Sequence, residues 1–293
     1  MNLSELPIFR IKRVLTPDEA TELVGKMVDD LEANCIEPGI YIDEDTEEPF
    51  LAYFPMEEEV NLLRKSVMNI KYGSTKRQSL GIENSSRTFG MAPRKIYQRR
   101  ESCRPTTLAN EQPNEHAVLI AFAEKFGRMF KEFAPQIFEN DVKNLAEAGL
   151  DNEWRMTDDA LWTSGVVNKA STLPYHRDGF NFATWSAMPV IRRDMKGGYL
   201  DFPEYKLTCA CRDGWVLFFP GYKYVHGVTP MMPTKEDSYR YSVVYYALKG
   251  MKDCFTYAVE TARGAENRTK REDQMAAVLK GEATLQVRSS KNP

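Results

Sequence analysis

The chain of 293 residues is 42% hydrophobic with a formal net charge of −3, which is enough apolar content for one sizeable core and excludes a polycationic or disordered class. No apolar run is long enough to span a bilayer, and the N-terminus lacks the charged start and apolar stretch of a secretion signal, so membrane and secreted classes are set aside. The five cysteines are odd in number and scattered without a CxxC pair, which argues against a disulfide framework or a structural zinc site and suits a reducing compartment.

The first element starts at Thr16-Pro17-Asp18-Glu19, a capping box with proline at the first helical position. Ala20, Leu23, Val24, Met27, Val28 and Leu31 then repeat at helical spacing, which predicts an amphipathic helix reaching Leu31. A second helix is expected over 57–69, with Val60, Leu63 and Val67 inward. The stretch 71–114 is polar and contains proline, and reads as loop with short strands. Charge is uneven here: residues 1–60 carry a net −12 and residues 71–104 a net +7, so the second block is a candidate polyanion-facing surface or simply a solvated loop face. A third helix is expected over 114–133, where Val118, Phe122, Phe126, Met129, Phe130 and Phe133 form a core stripe. From Leu161 onward short β-rich runs (162–167, 199–207, 215–219, 222–228 and 239–248) alternate with turns at Gly197-Gly198, Asp213-Gly214 and Pro220-Gly221, as in a sandwich or jelly roll. The charged tail beyond Asp253 has a helical pattern.

The chain has three histidines. His176 and Asp178 are two apart, so on extended backbone they share a face. His226, fifty residues later, completes a two-His-one-carboxylate triad, a ligand set suited to Fe(II) with open positions. His116 has no acidic partner at ligand spacing and is read as a surface or satisfied core residue. On the run 240–246, Arg240, Ser242, Val244 and Tyr246 share one face. An arginine turned inward there needs an anion, and with the Ser242 hydroxyl it makes a site for a carboxylate such as the distal one of 2-oxoglutarate.

His-x-Asp, a distal His, and Arg-x-Ser fourteen residues after that His resemble the signature of the 2-oxoglutarate/Fe(II) oxygenases. The resemblance implies an α+β protein with a double-stranded β-helix (jelly-roll) core, and Fe(II), 2-oxoglutarate and O2 as cofactors. Within that superfamily the flanking residues look most like the TET/JBP oxygenases of methylated pyrimidines in nucleic acid. Asn181, five residues after His176, matches an asparagine that hydrogen-bonds the target cytosine, and Tyr246, six after Arg240, matches a tyrosine that stacks on it. The runs Gly197–Tyr205 and His226–Pro230 resemble short phage and lower-eukaryote members, and Ser86–Arg94 resembles their pre-core segment. The cysteine-rich zinc region of animal members is absent, Leu248 stands where they place a base-contacting histidine, and position 180 is Phe rather than polar.

The implied organisation is one catalytic domain over 1–293. It has a mainly helical region at 1–135 containing the basic loop 71–114, a β-helix core at 155–250, and a helical tail at 251–293 packed on the core. The implied reaction is hydroxylation of the 5-methyl group of 5-methylcytosine in DNA. The partner is DNA with the methylated base flipped out, and Arg87, Arg94, Lys95, Arg99 and Arg100 are candidate phosphate contacts. An intracellular location follows, in the bacterial host cytoplasm for a phage protein or the nucleus for a eukaryotic one. Alternatives are a thymine hydroxylase acting on DNA, or an oxygenase of a small molecule or peptide. A degenerate binding module is disfavoured because all three ligands and the Arg-Ser pair are present.

Overall fold

The computed structural model describes residues 1–56, 59–77, 82–95 and 101–282. Strands β1 (Ile8–Ile11), β2 (Gly39–Asp43) and β3 (Pro49–Pro55) come first, with helix α1 (Pro17–Thr21) between β1 and β2. Helix α2 (Val60–Asn69) leads into β4 (Gly73–Arg77), β5 (Ile82–Ala92) and β6 (Arg104–Pro105). Helices α3 (Thr107–Glu111), α4 (Pro113–Phe133) and α5 (Pro135–Glu147) follow. Next come β7 (Ser164–Lys169), β8 (Leu173–His176), β9 (Ser186–Arg193), β10 (Met195–Gly197), β11 (Leu200–Phe202) and β12 (Leu207–Cys209). The last elements are β13 (Trp215–Phe219), β14 (His226–Val228), β15 (Met231–Pro233), β16 (Tyr239–Tyr246) and helix α6 (Tyr257–Leu279).

Ten strands form one large sheet in the order β1-β2-β3-β13-β9-β16-β7-β5-β4, with β6 added on β5, and a smaller sheet runs β12-β11-β14-β8. The period-2 alternation of β13 shows how the layers form. Val216 and Phe218 point to a core shared with Phe126 and Phe130 of α4, while Leu217 and Phe219 point to a second core shared with Leu200, Phe202 and Leu207 of the smaller sheet. The molecule is therefore helices on large sheet on small sheet, an α+β jelly roll as expected, and the site lies between the two sheets.

Helix α4 covers the expected span, and the buried Phe122, Phe126, Phe130 and Phe133 lie on its inner face. Helix α2 buries Leu63 and Val67, with Val60 packed against the same core. The capping box at Thr16 and Glu19 is formed, but α1 stops at Thr21 and does not reach Leu31. Tertiary pairing overrides the helical spacing: Gly25 N–H donates to Tyr175 O (2.8 Å) and Tyr175 N–H donates to Lys26 O (2.9 Å), so the chain runs out along β8. Ala20 and Val28 are still buried, against Tyr175 and Val225, whereas Met27 is exposed.

Residues 1–135 are not mainly helical, since they supply six strands as well as four α-helices among the described residues. The 71–114 stretch, read as loop with short strands, holds an eleven-residue strand, β5, paired on both sides by β4 and β7, which is longer than that reading allowed. Cys103 and Cys254 form a disulfide across 151 residues of sequence, so the scattered cysteines do pair once and lend no support to a reducing compartment. No helix among the described residues is long and apolar enough to cross a membrane.

Candidate active site

Strands β8 and β14 are antiparallel neighbours with His226 in register with His176, which brings the two rings to 4.4 Å between centroids. Asp178 follows β8 on the same side. His176 Nε2 lies 3.9 Å from its Oδ1, and His226 Nε2 lies 4.0 Å from its Oδ2. One donor atom from each of the three lies within 4.8 Å of the others, close enough to share one metal ion. Both imidazoles are fixed in one tautomer. His176 Nδ1 donates to Pro174 O (2.8 Å) and His226 Nδ1 donates to Tyr224 O (3.0 Å), since a carbonyl only accepts; each Nε2 lone pair is left for the site. Burial, then the neighbouring His176, pushes the His226 pKa down to about 4, which keeps it neutral and able to ligate at neutral pH.

The Asp178 backbone is pinned beside the site. Asp178 N–H donates to Gly221 O (2.9 Å), and a Cβ on Gly221 would stand 2.5 Å from Asp178 Oδ2, so only glycine lets this turn approach the ligand. Arg177 ties the same loop down. Its guanidinium donates to Lys223 O (3.0 Å), Thr21 Oγ1 (2.7 Å) and Pro17 O (3.0 Å), joining the ligand loop to the end of α1. Sequence reasoning marked Pro220-Gly221 only as a turn and passed over Arg177, because contacts between residues that far apart leave no local pattern.

On the large sheet, Tyr241, Val243 and Tyr245 of β16 face the helices, so Arg240, Ser242, Val244 and Tyr246 face the smaller sheet, as expected. Arg240 is 1% exposed, and none of its three guanidinium nitrogens has a hydrogen-bond partner among the described residues. Burial pushes its pKa down, the neighbouring Cys211 pushes it up, and a buried guanidinium whose nitrogens make no hydrogen bond within range is costly, so the arrangement favours an anion beside it. Close by, burial would push the Cys211 thiol up, but its hydrogen bond with Cys209 and the charges of Arg240 and Arg192 bring it down to about 6. Ser242 pairs in register with Asn168 of β7, a cavity-lining residue that the sequence reading did not single out.

A cavity of about 500 Å³ opens over the three ligands. Its apolar wall includes Val166, Leu173, Met188, Val228 and Val244, and its polar groups include Asn168, Asn181 and Ser242. Asn181 is buried and Tyr246 half-buried, and both line this cavity together with Leu248. His116, by contrast, accepts a hydrogen bond from Gly90 N–H at Nε2 (3.2 Å), far from the ligands in role: it is a satisfied packing residue.

The candidate phosphate contacts fare differently. Arg87 is ion-paired with Glu111, and Arg94 pairs with the buried Glu260 (3.6 Å) and stacks over Phe255 (4.8 Å), so both spend their charge within the protein. Lys95 is half-buried. Arg99 and Arg100 lie outside the described residues.

No family profile matches the chain, and no curated protein matches it in sequence. Among solved structures, NgTET1 in complex with 5mC DNA superposes with a TM-score of 0.55 at 17% identity, over 87% of this chain and 86% of that one. An oxidoreductase of the 2OG-Fe(II) oxygenase family from Burkholderia pseudomallei matches with a TM-score of 0.46 at 13% identity, over 68% of this chain and 85% of that one. The chain shares its fold with NgTET1. On this fold the donor set of His176, Asp178 and His226 suits Fe(II), and the guanidinium of Arg240 suits a carboxylate such as that of 2-oxoglutarate. Together they suit a site for Fe(II), 2-oxoglutarate and O2.

Proposed function

We propose that this protein hydroxylates the 5-methyl group of 5-methylcytosine in DNA, giving 5-hydroxymethylcytosine. The observation that carries the reading is the cavity in which Asn181 and Tyr246 stand beside the three metal ligands, on a fold shared with a protein solved on 5mC DNA. Iron and 2-oxoglutarate, when bound, would supply an O2-dependent oxidation strong enough for a methyl carbon that is neither acidic nor bonded to a leaving group. The chain's own residues do the rest. Arg240 and Ser242 bind and orient the far carboxylate of 2-oxoglutarate. The Asn181 amide both donates to and accepts from a pyrimidine edge, and the Tyr246 ring offers a stacking face. The apolar wall of Val166, Leu173 and Val244 keeps water from the methyl group. A duplex base reaches this depth only by leaving the stack, so the substrate nucleotide is flipped out. An intracellular location belongs to the same reading.

The test is nucleoside mass spectrometry after incubation with Fe(II) and 2-oxoglutarate, using duplexes that contain 5-methylcytosine and matched duplexes whose methylated base is thymine only. The expected product is 5-hydroxymethylcytosine from the first set. Leu248 offers no hydrogen bond at the cavity wall, which keeps thymine as the second reading. Product from thymine alone would reassign the base, and product from neither would return the enzyme to small-molecule or peptide substrates. Asn181→Ala should keep iron and 2-oxoglutarate binding and lose turnover of DNA.

A further inference from the structure

Phe180 is 79% exposed, more than any other phenylalanine among the described residues, while its neighbours Asn181 and Phe182 are buried at 7% and 6%. This is not a loosely held side chain on a loop. The backbone on both sides is locked: Asn181 N–H donates to Asp178 O (3.0 Å), Phe182 N–H donates to Ala247 O (2.8 Å), and Phe180 O accepts from Lys249 N–H (2.9 Å). Asn181 also makes a β-bridge with Leu248. With both neighbours fixed inward, the Phe180 ring has no route into the core and is held out at the cavity mouth. Beside it the exposed Lys249 is itself anchored, its Nζ donating to Gly179 O (2.9 Å), and brings a positive charge to the rim.

Resting on the reading of the cavity as a base pocket, we propose that Phe180 is a wedge that enters the base stack of duplex DNA where the target nucleotide has left it. Two adjacent residues point in opposite directions from one pinned segment. Asn181 points to where the extruded base goes, so Phe180 points to where that base came from. A flat apolar ring without polar atoms suits that gap, because it restores stacking on the flanking bases and hinders the base from returning. The Lys249 charge suits the neighbouring phosphates. A small metabolite sealed in the cavity would leave the phenyl ring in water, whereas a duplex covers it.

The experiment compares turnover of 5-methylcytosine in duplex and in single-stranded DNA of one sequence, for the wild-type protein, Phe180→Ala and Phe180→Trp. A single strand has no stack to hold open, so the wedge matters only for the duplex. The expected result is that Phe180→Ala lowers the ratio of duplex to single-strand kcat/KM about tenfold or more, and Phe180→Trp restores it. An unchanged ratio in Phe180→Ala, with both forms still oxidised, overturns the wedge and leaves the base pocket standing. A wild-type protein that oxidises neither form overturns the pocket reading and the wedge with it.

Discussion

His116 and His226 are the same imidazole put to opposite uses by their surroundings. His226 is buried beside His176 and Asp178 with its Nδ1 already engaged, whereas His116 accepts one backbone N–H in the packing under β5. His226→Ala should therefore reduce Fe(II) binding and 2-oxoglutarate decarboxylation to background, measured by metal titration and CO2 release. His116→Ala should bind iron as the wild type does and cost about 1 kcal/mol of stability, the loss of one hydrogen-bond acceptor. Of the candidate metal ligands, His176 and Asp178 were legible because their spacing puts both on one face of extended backbone, and His226 because the chain has only two other histidines; Arg240 and Ser242 were legible through strand alternation. Arg177, Gly221 and Asn168 were not, since each acts on a partner distant in the chain and nothing in its own neighbourhood marks it. Arg87 and Arg94 mark a limit of charge patterning: the sequence does not reveal that each faces a glutamate in the fold.

Helices α5 and α6 each bury one carboxylate, with opposite consequences. On α6 the only buried residue is Glu260, whose oxygens accept from Cys103 N–H (2.8 Å) and Phe255 N–H (2.9 Å) and face Arg94. Glu260→Ala leaves two backbone donors unsatisfied and should cost about 2–4 kcal/mol, read from urea midpoints, and should raise hydrogen exchange in α6 first. On α5, Asp141 accepts from Trp185 N–H (2.7 Å), and burial pushes its pKa up to about 7. The folded state then holds a proton that the unfolded state gives up near the ordinary value of 3.8, so this group's contribution falls as pH rises from about 4 to about 7 and is flat above. Burial also raises Asp201 and Glu204, so the difference between wild type and Asp141→Asn isolates the slope: the variant should gain stability relative to wild type at pH 8, by up to about 4 kcal/mol, and little at pH 4. At this scale the sequence spoke clearly for α4, whose stripe of phenylalanines admits one face only. It misled for α1, where pairing with Tyr175 ends a helix that the apolar spacing would carry further. It was silent on β8 and β9, because strands buried on both faces lose the alternation that marks them.

Across the whole molecule, the layering was legible from turn punctuation and short β-runs, but the order of strands was not, since register between distant segments is set by packing. That order places the candidate metal ligands His176 and His226 on the four-stranded sheet, with Asp178 just after β8, and the candidate carboxylate anchors Arg240 and Ser242 on the ten-stranded sheet. Apolar contact holds these two layers together, and Arg240 stands at their junction with none of its guanidinium nitrogens hydrogen-bonded and, among the described residues, only the Cys211 thiol beside it as a source of negative charge. A metal held by the histidines and a carboxylate held by Arg240 would put one ligand on each layer, so metal and co-substrate should strengthen each other's hold on the fold. Melting curves with Mn(II) in place of iron, with 2-oxoglutarate, and with both should show a rise for the pair that exceeds the sum of the two separate rises. In Arg240→Ala that excess should vanish while the metal's own contribution remains. The protein would then be most easily opened, and most easily degraded, when either the metal or the dicarboxylate is scarce, so that its lifetime would follow their supply.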